Sequence, residues 1–449
     1  MKTKSMCEGK PLPLIFFFSL PLMLGNICQQ LYTVMDTMIV SQKLGVDALA
    51  ALGCCDWLNW MGFGIMTGFA QGFSIMVSHA FGMKIKEKIQ ESILSMLVCC
   101  LVVSVVFVVV ALPCMPLALQ LLNTPDAIFD MTLLYTRIIF LGLPITMFYN
   151  AFAAILRALG NSKAPLFAMV LASVVNIILD LLFVMVFETG IAGAGIATLI
   201  AQFVAGCYCV FKLIQIKDVL PKRLCKDTQV YLHLMKLGFP MALQNVLISI
   251  GGMVLTSVIN RYGTLFLAGF TAVNKLYGIL EVSAVSYGYA MVTYTGQNYG
   301  ARQYDRIKQG VRSAVMLSVI TAICISIGLF LFGKNLLSFF ISADGAVYEE
   351  VMGIAWTFLQ WMAWFLPVLY LLHIYRSTIQ GLSDTLIPML SGMFELIVRI
   401  AVACLLPICF GRNGLYPVEV LAWFGAVVLL IPSYYSKERK LMKKQEVKL

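Results

Sequence analysis

The run SILSMLVCCLVVSVVFVVVALPCMP, residues 92–116, holds 25 residues without one charge. A helix rises 1.5 Å per residue, so roughly 20 apolar residues cross the ~30 Å hydrocarbon layer of a bilayer. The stretch reads as a membrane span, and the composition of the whole chain agrees with it. Of 449 residues, 60% are hydrophobic and 12% charged, with a mean hydropathy of +0.89. A water-soluble domain carries roughly a quarter charged residues. Lipid-facing surface accounts for so little charge; a water-facing one does not.

Outward from this run, the same criterion marks spans near 14–40, 48–80, 92–116, 131–156, 164–187 and 191–214. After a polar interval come spans near 237–261, 265–298, 310–333, 349–380, 386–409 and 415–435. The first run has no small-residue cleavage site and continues past twenty residues, so it reads as a span and not as a cleaved signal peptide. The interval 215–235, with Lys217, Lys222, Arg223 and Lys226, is the natural linker. The expected architecture is all-α and integral to the membrane: twelve helices in two six-helix halves, 1–220 and 221–449.

The net charge of +10 raises the question of nucleic acid. Its distribution answers it, because the cations lie in short loops and at the chain ends, with no basic stripe interleaved with aromatics. Placing both ends inside puts 25 of the 32 Lys and Arg on the inner side, Arg376 among them. Five fall outside (Lys43, Arg137, Arg261, Lys334, Arg412), and Lys275 and Arg399 fall within spans. That bias predicts an even number of spans with both termini cytoplasmic. The thirteen cysteines include no CxxC pair and sit largely in apolar runs, where they act as small hydrophobes.

The two halves repeat one another. Pro21-Leu22-Met23-Leu24-Gly25-Asn26 recurs as Pro240-Met241-Ala242-Leu243-Gln244-Asn245, and Phe81-Gly82 as Tyr299-Gly300. Arg157-Ala158-Leu159-Gly160-Asn161-Ser162 with Pro165 is answered by Gln380-Gly381-Leu382-Ser383-Asp384-Thr385 with Pro388. The offsets of 219, 218 and 223 residues drift little. Six spans per half give both halves the same topology, a parallel repeat.

Ionisable groups inside a span are costly unless partnered or wet, so each is a candidate for function. The first half offers Asp36 and Asp180, with Asp56 near the start of the second span. Tyr32 precedes Asp36 by one turn and Asn176 precedes Asp180 by one turn, so each pair shares a helix face. Thr198 lies about two turns down the sixth span, near the same depth. Two carboxylates, an amide, a phenol and a hydroxyl suit Na⁺ or a shared proton, since close carboxylates share one proton more readily than they hold two charges. The alternative is that both aspartates merely pair or cap between helices. In the second half, Glu395 and Arg399 are one turn apart and can neutralise each other; these charges either brace the half or bind a substrate. Lys275 and Glu281 do not share a face, so each needs another partner. At the repeat offsets Asp36 falls on Leu255, Asn176 on Arg399 and Asp180 on Ala403. Pro21 and Pro240 lie inside spans one and seven, as static kinks or as hinges.

These residues carry a resemblance. Pro21 followed by Tyr32 and Asp36, the segment Asn176-Ile177-Ile178-Leu179-Asp180, Thr198, and the loop Arg157-Ala158-Leu159-Gly160-Asn161 are similar to the multidrug and toxic compound extrusion (MATE) family, in the branch of the bacterial DNA-damage-inducible transporters. The resemblance covers nearly the whole chain. It implies a V-shaped pair of six-helix bundles in a bacterial inner membrane, a monomer with no cofactor. It implies export of organic cations, drugs or other amphipathic compounds in exchange for Na⁺ or H⁺. It places a cation site at Asp36, Asn176, Asp180 and Thr198, puts Tyr32 in the adjoining network, and makes Pro21 the bend of the first helix. Some relatives carry an acid where this chain has Leu255, so the sequence departs from them there. Two other functions stay open on the residues alone. A flippase for a lipid-linked glycan would need a cationic cavity, for which Lys275, Arg399 and Arg137 are the available groups. An integral-membrane enzyme would need a constellation that the scattered His79, His233 and His373 do not make, and there is no P-loop or GxSxG elbow.

Overall fold

The computed structural model describes residues 5–122, 124–216, 219–220, 225, 227–341 and 345–446. The described chain is helical almost throughout: Pro11–Gly45 (α1), Ala50–Gly82 (α2), Lys86–Leu121 (α3), Asp126–Leu141 bent by 42° into Leu143–Ala158 (together α4), Lys163–Asp180 (α5) and Ile191–Ile214 (α6). The second half follows with Thr228–Asn260 (α7), Thr264–Gly300 (α8), Tyr304–Ser338 (α9), Gly345–Gly381 (α10), Leu386–Phe410 (α11) and Val418–Glu446 (α12). With the bent α4 taken as one span, twelve helices among the described residues are long and apolar enough to cross a membrane, as the apolar runs predict.

The linker is shorter than the polar composition suggests. α7 begins at Thr228 because Asp227 caps it, its Oδ1 accepting the Gln229 N–H at 2.9 Å. Of the linker cations, Lys217, Lys222, Arg223 and Lys226 lie outside the described residues, as do Lys2, Lys4 and Lys448 at the ends.

The repeat is written into the backbone. Left-handed residues recur at matching places: Gly45 and Gly263 (φ 82° and 98°), Lys84 and Arg302 (59° and 58°), Gly160 and Ser383 (80° and 64°), Gly190 and Gly411 (67° and 57°). The cap that opens the fifth helix recurs in the eleventh. Asn161 Oδ1 accepts the Ala164 N–H at 3.1 Å, and Asp384 Oδ1 accepts the Ile387 N–H at 3.2 Å. These turns fix where each helix begins, so the duplicated scaffold survives although few side chains in it are identical.

Two compact units form, and they do not divide at the linker. One is built on Leu20–Asn245, the other on Met6–Ser19 with Val246 onward. Each unit thus takes the leading end of the helix that opens the other half, whereas the sequence suggests a cut between 220 and 221. In the second unit the Met6 backbone is clasped by buried polar side chains. Its N–H donates to Gln297 Oε1 at 2.8 Å, and its carbonyl accepts from Asn298 Nδ2 at 3.1 Å and Arg306 Nη2 at 3.2 Å. In the first unit the leading end of α7 packs backbone to backbone on α2. A Cβ on Gly68 would come within 2.7 Å of the Ala242 Cα, and one on Gly72 within 2.6 Å of the Gly238 Cα. Gly68 and Gly72, like Gly238 and Ala242, are four residues apart, the small-residue spacing that lets membrane helices touch without an apolar driving force.

That contact makes a prediction. Gly68→Leu overfills a backbone contact and is expected to cost about 1–3 kcal/mol, read as a fall of several degrees in Tm of the purified protein in detergent. Gly353→Leu, on an exposed helix position with nothing within 4 Å of its Cβ, is expected to leave Tm unchanged. Equal Tm for the two variants would contradict the close packing of α2 on α7.

Candidate functional site

Within the first unit, α1, α5 and α6 bring the polar residues of the apolar spans together. Asp36 is 8% exposed, Asn176 and Asp180 are fully buried, and Thr198 is buried beside them. The Asp36 and Asp180 carboxyls are close neighbours. Asn176 Nδ2 donates to Thr198 Oγ1 over a long 3.5 Å. Tyr32, half-buried one turn before Asp36, lies within electrostatic reach of both acids. Four buried oxygens of the cluster accept no hydrogen bond: Asp36 Oδ1, Asn176 Oδ1, and both carboxylate oxygens of Asp180. Among the described residues no Lys or Arg of this unit is buried.

One member was not visible in the sequence. Tyr135, buried on α4, lies within electrostatic reach of Asp36, Asp56 and Asp180. Its ring packs against Gly195, three residues before Thr198, where a Cβ would meet it at 3.5 Å. The signal was the buried polar stripe Thr132, Tyr135 and Thr136 on α4, whose i, i+3, i+4 spacing marks one helix face.

Local backbone sets this geometry. Directly after Asp180 the helix widens into a π-turn, Leu181–Val186, closed by the Phe187 N–H donating to the Leu182 carbonyl at 2.8 Å. Such turns are rare and concentrate at functional sites. Beyond it, the Lys43 ammonium meets Glu188 Oε1 at 2.7 Å, tying the far end of α1 to the loop after α5. Lys43 holds the Glu188 carboxyl below its ordinary range. Both groups are exposed, so the pair orients more than it stabilises.

The second unit builds the opposite arrangement. Glu395 and Arg399 do meet, Oε1 to Nη2 at 3.0 Å, but they are half of a larger network. Arg376 Nη2 reaches Glu395 Oε2 at 2.9 Å and its Nε reaches Ser391 Oγ at 3.2 Å, while Arg399 Nη2 also reaches Glu419 Oε2 at 2.8 Å. Arg376, which the sequence places among the inner loop cations, is 5% exposed. It points back into the unit because Glu395 is one helix away, and it leaves the count of surface charges. Glu281 finds its partner in His373, at 3.3 Å. Lys275 is exposed on α8. Pro21 lies inside α1 and Pro240 inside α7, and Pro367 and Pro407 interrupt α10 and α11 in the same way.

The two arrangements differ in what they can do. Each uncompensated buried carboxylate costs several kcal/mol, and two unit charges 4 Å apart repel by about 4 kcal/mol at an effective dielectric of 20. The first cluster therefore needs a positive charge from outside, and its unpaired oxygens are hard donors suited to a proton or a small cation. Two acids among neutral oxygens match one or two monovalent charges. Among the described residues no three His, Cys, Asp or Glu gather to hold a metal ion.

The MatE family model matches the chain twice, over residues 21–182 and 240–405, so the same model reads both halves at offsets of 219 and 223. The chain is 27% identical over 435 residues to "Probable multidrug resistance protein YoeA" of Bacillus subtilis (strain 168), covering 93% of this chain and 92% of that one. It is 31% identical over 371 residues to "Probable multidrug resistance protein YpnP" of the same organism, covering 82% of each. In fold it is similar to the outward-facing conformation of a multidrug resistance MATE family transporter of the MOP superfamily, with a TM-score of 0.90 at 22% identity over 99% of this chain and all of the other. With the family model covering both repeats and the relatives spanning nearly the full length, the chain belongs to the MatE family of multi-pass membrane transporters and is not an enzyme.

Proposed function

We propose that the protein exports organic cations, drugs or other amphipathic compounds across a bacterial cytoplasmic membrane, in exchange for Na⁺ or H⁺ taken up at Asp36 and Asp180. The observation that supports this reading is the pair of buried acids, three of whose oxygens are unsatisfied as is Asn176 Oδ1, with no buried base among the described residues of the unit. The relatives named for multidrug resistance support the substrate class. In this reading Asn176 and Thr198 complete the oxygen shell, Tyr32 and Tyr135 border it, and α1 carries the response. Pro21 lacks a backbone N–H and weakens α1 where its leading end passes from one unit to the other. Cation occupancy at Asp36 would then bias α1 between conformations. Coupling follows only if the cation binds those conformations with different affinity. The reading needs no cofactor and works in a monomer embedded in lipid.

A flippase for a lipid-linked glycan is disfavoured by the same charges. Its pyrophosphate would need free buried cations, and Arg376 and Arg399 are both neutralised by glutamates.

Asp36→Asn removes a charge that only an exogenous cation balances. It is expected to insert normally and to abolish drug uptake into everted vesicles, a loss of at least about tenfold; wild-type uptake would sink the assignment. The Lys and Arg bias predicts a cytoplasmic C-terminus. A C-terminal green fluorescent fusion is expected to fluoresce and a C-terminal alkaline phosphatase fusion to be inactive, and the reverse pattern would invert the topology.

A further inference from the structure

The repeat supplies the second unit with a counterpart for four residues of the cation cluster. At the offsets of 219 and 223, Tyr32 falls on Gly251, Asp36 on Leu255, Asn176 on Arg399 and Asp180 on Ala403. Leu255 and Ala403 are each 1% exposed, so the two carboxylate positions are filled with buried hydrocarbon. The remaining two form a notch and a knob. A Cβ at Gly251 would collide with Arg399 Nη1, so the guanidinium lies in the space that the missing side chain leaves on α7. It sits between α7 and α11, as the cation cluster sits between α1 and α5. There it meets Glu395 Oε1 at 3.0 Å and Glu419 Oε2 at 2.8 Å.

We propose that Arg399 is a resident cation: its guanidinium permanently fills the second-unit counterpart of the ion site, and taking it away turns the Glu395–Glu419 pair into a binding site for a free guanidinium ion. The charges support this. Arg376 and Arg399 balance Glu395 and Glu419 in charge, so the network needs no counter-ion from the solvent, although Arg399 Nε is buried without a hydrogen-bond partner. A guanidinium is tethered and does not deprotonate in a protein, so it neither leaves nor cycles. A group of this kind excludes exchangeable ions from its unit and confines ion exchange to the other repeat. The ion-site counterpart rests on the proposed function, whereas guanidinium binding at Glu395 and Glu419 is read in the second unit alone, without transport.

Arg399→Ala leaves two glutamates against Arg376 and a guanidinium-shaped void. The purified variant in detergent is expected to unfold several degrees below wild type. Millimolar guanidinium chloride is expected to restore about 3 °C or more of Tm, saturably, while equimolar potassium chloride restores none and wild type does not respond. Arg399→Ala combined with Glu419→Gln restores charge balance without the guanidinium. It is expected to fold with a Tm within about 2 °C of wild type and to ignore guanidinium. An Arg399→Ala variant blind to guanidinium would overturn the proposal. Should that variant yield no folded protein, the double variant decides. Its folding supports Arg399 as a neutralising ion, and its failure to fold means that Arg399 is an irreplaceable brace and overturns the proposal.

Discussion

A carboxylate buried inside a lipid-embedded helix bundle must find positive charge, and where it finds it separates the two halves of this molecule. In the second unit Glu395 is held between Arg376 and Arg399, at 2.9 and 3.0 Å. In the first, Asp36 and Asp180 face one another with no buried base among the described residues of their unit. One unit carries its counter-charge in its own side chains; the other is left to recruit it. The asymmetry is energetic before it is functional, because several kcal/mol ride on each unmatched charge in a low dielectric.

The duplication makes that contrast readable. The left-handed turns, the Asn161 and Asp384 caps and the mid-helix prolines recur at near-constant offsets. What does not recur is the widened turn after Asp180, which has no counterpart after Ala403, where α11 runs on to Phe410. The backbone departs from the shared scaffold at the cluster that lacks a resident cation. α1 belongs to both units: its leading end, with the clasped Met6 just before it, falls in the second and Asp36 in the first.

The spans were legible because an uncharged run of twenty or more residues has few readings, and the acid pair because a carboxylate inside such a run is conspicuous. Tyr135 was not, since a tyrosine in an apolar helix is ordinary and the approach of its α4 face to the bare Gly195 of α6 is not written in the local sequence. Arg376 was misread because it stands five residues before a cytoplasmic-type loop, where chemistry alone cannot tell an outward side chain from one that turns back to Glu395. Glu419 was missed for the same reason at the start of α12. The Gly68–Gly72 spacing was present in the sequence, but its partner on α7 is some 170 residues away, and the division of units inside α7 follows from that contact. The polar interval marked a linker without marking where packing changes hands.

The account stands on ion exchange through the first-unit acids, and drug-driven cation movement in proteoliposomes tests that most directly, with Na⁺ and pH gradients imposed one at a time. The account predicts that one of the two gradients drives drug accumulation and that adding drug, with no gradient imposed, moves the same cation in the opposite direction. Drug flux that is undiminished with both gradients collapsed, and that moves neither cation, would contradict it.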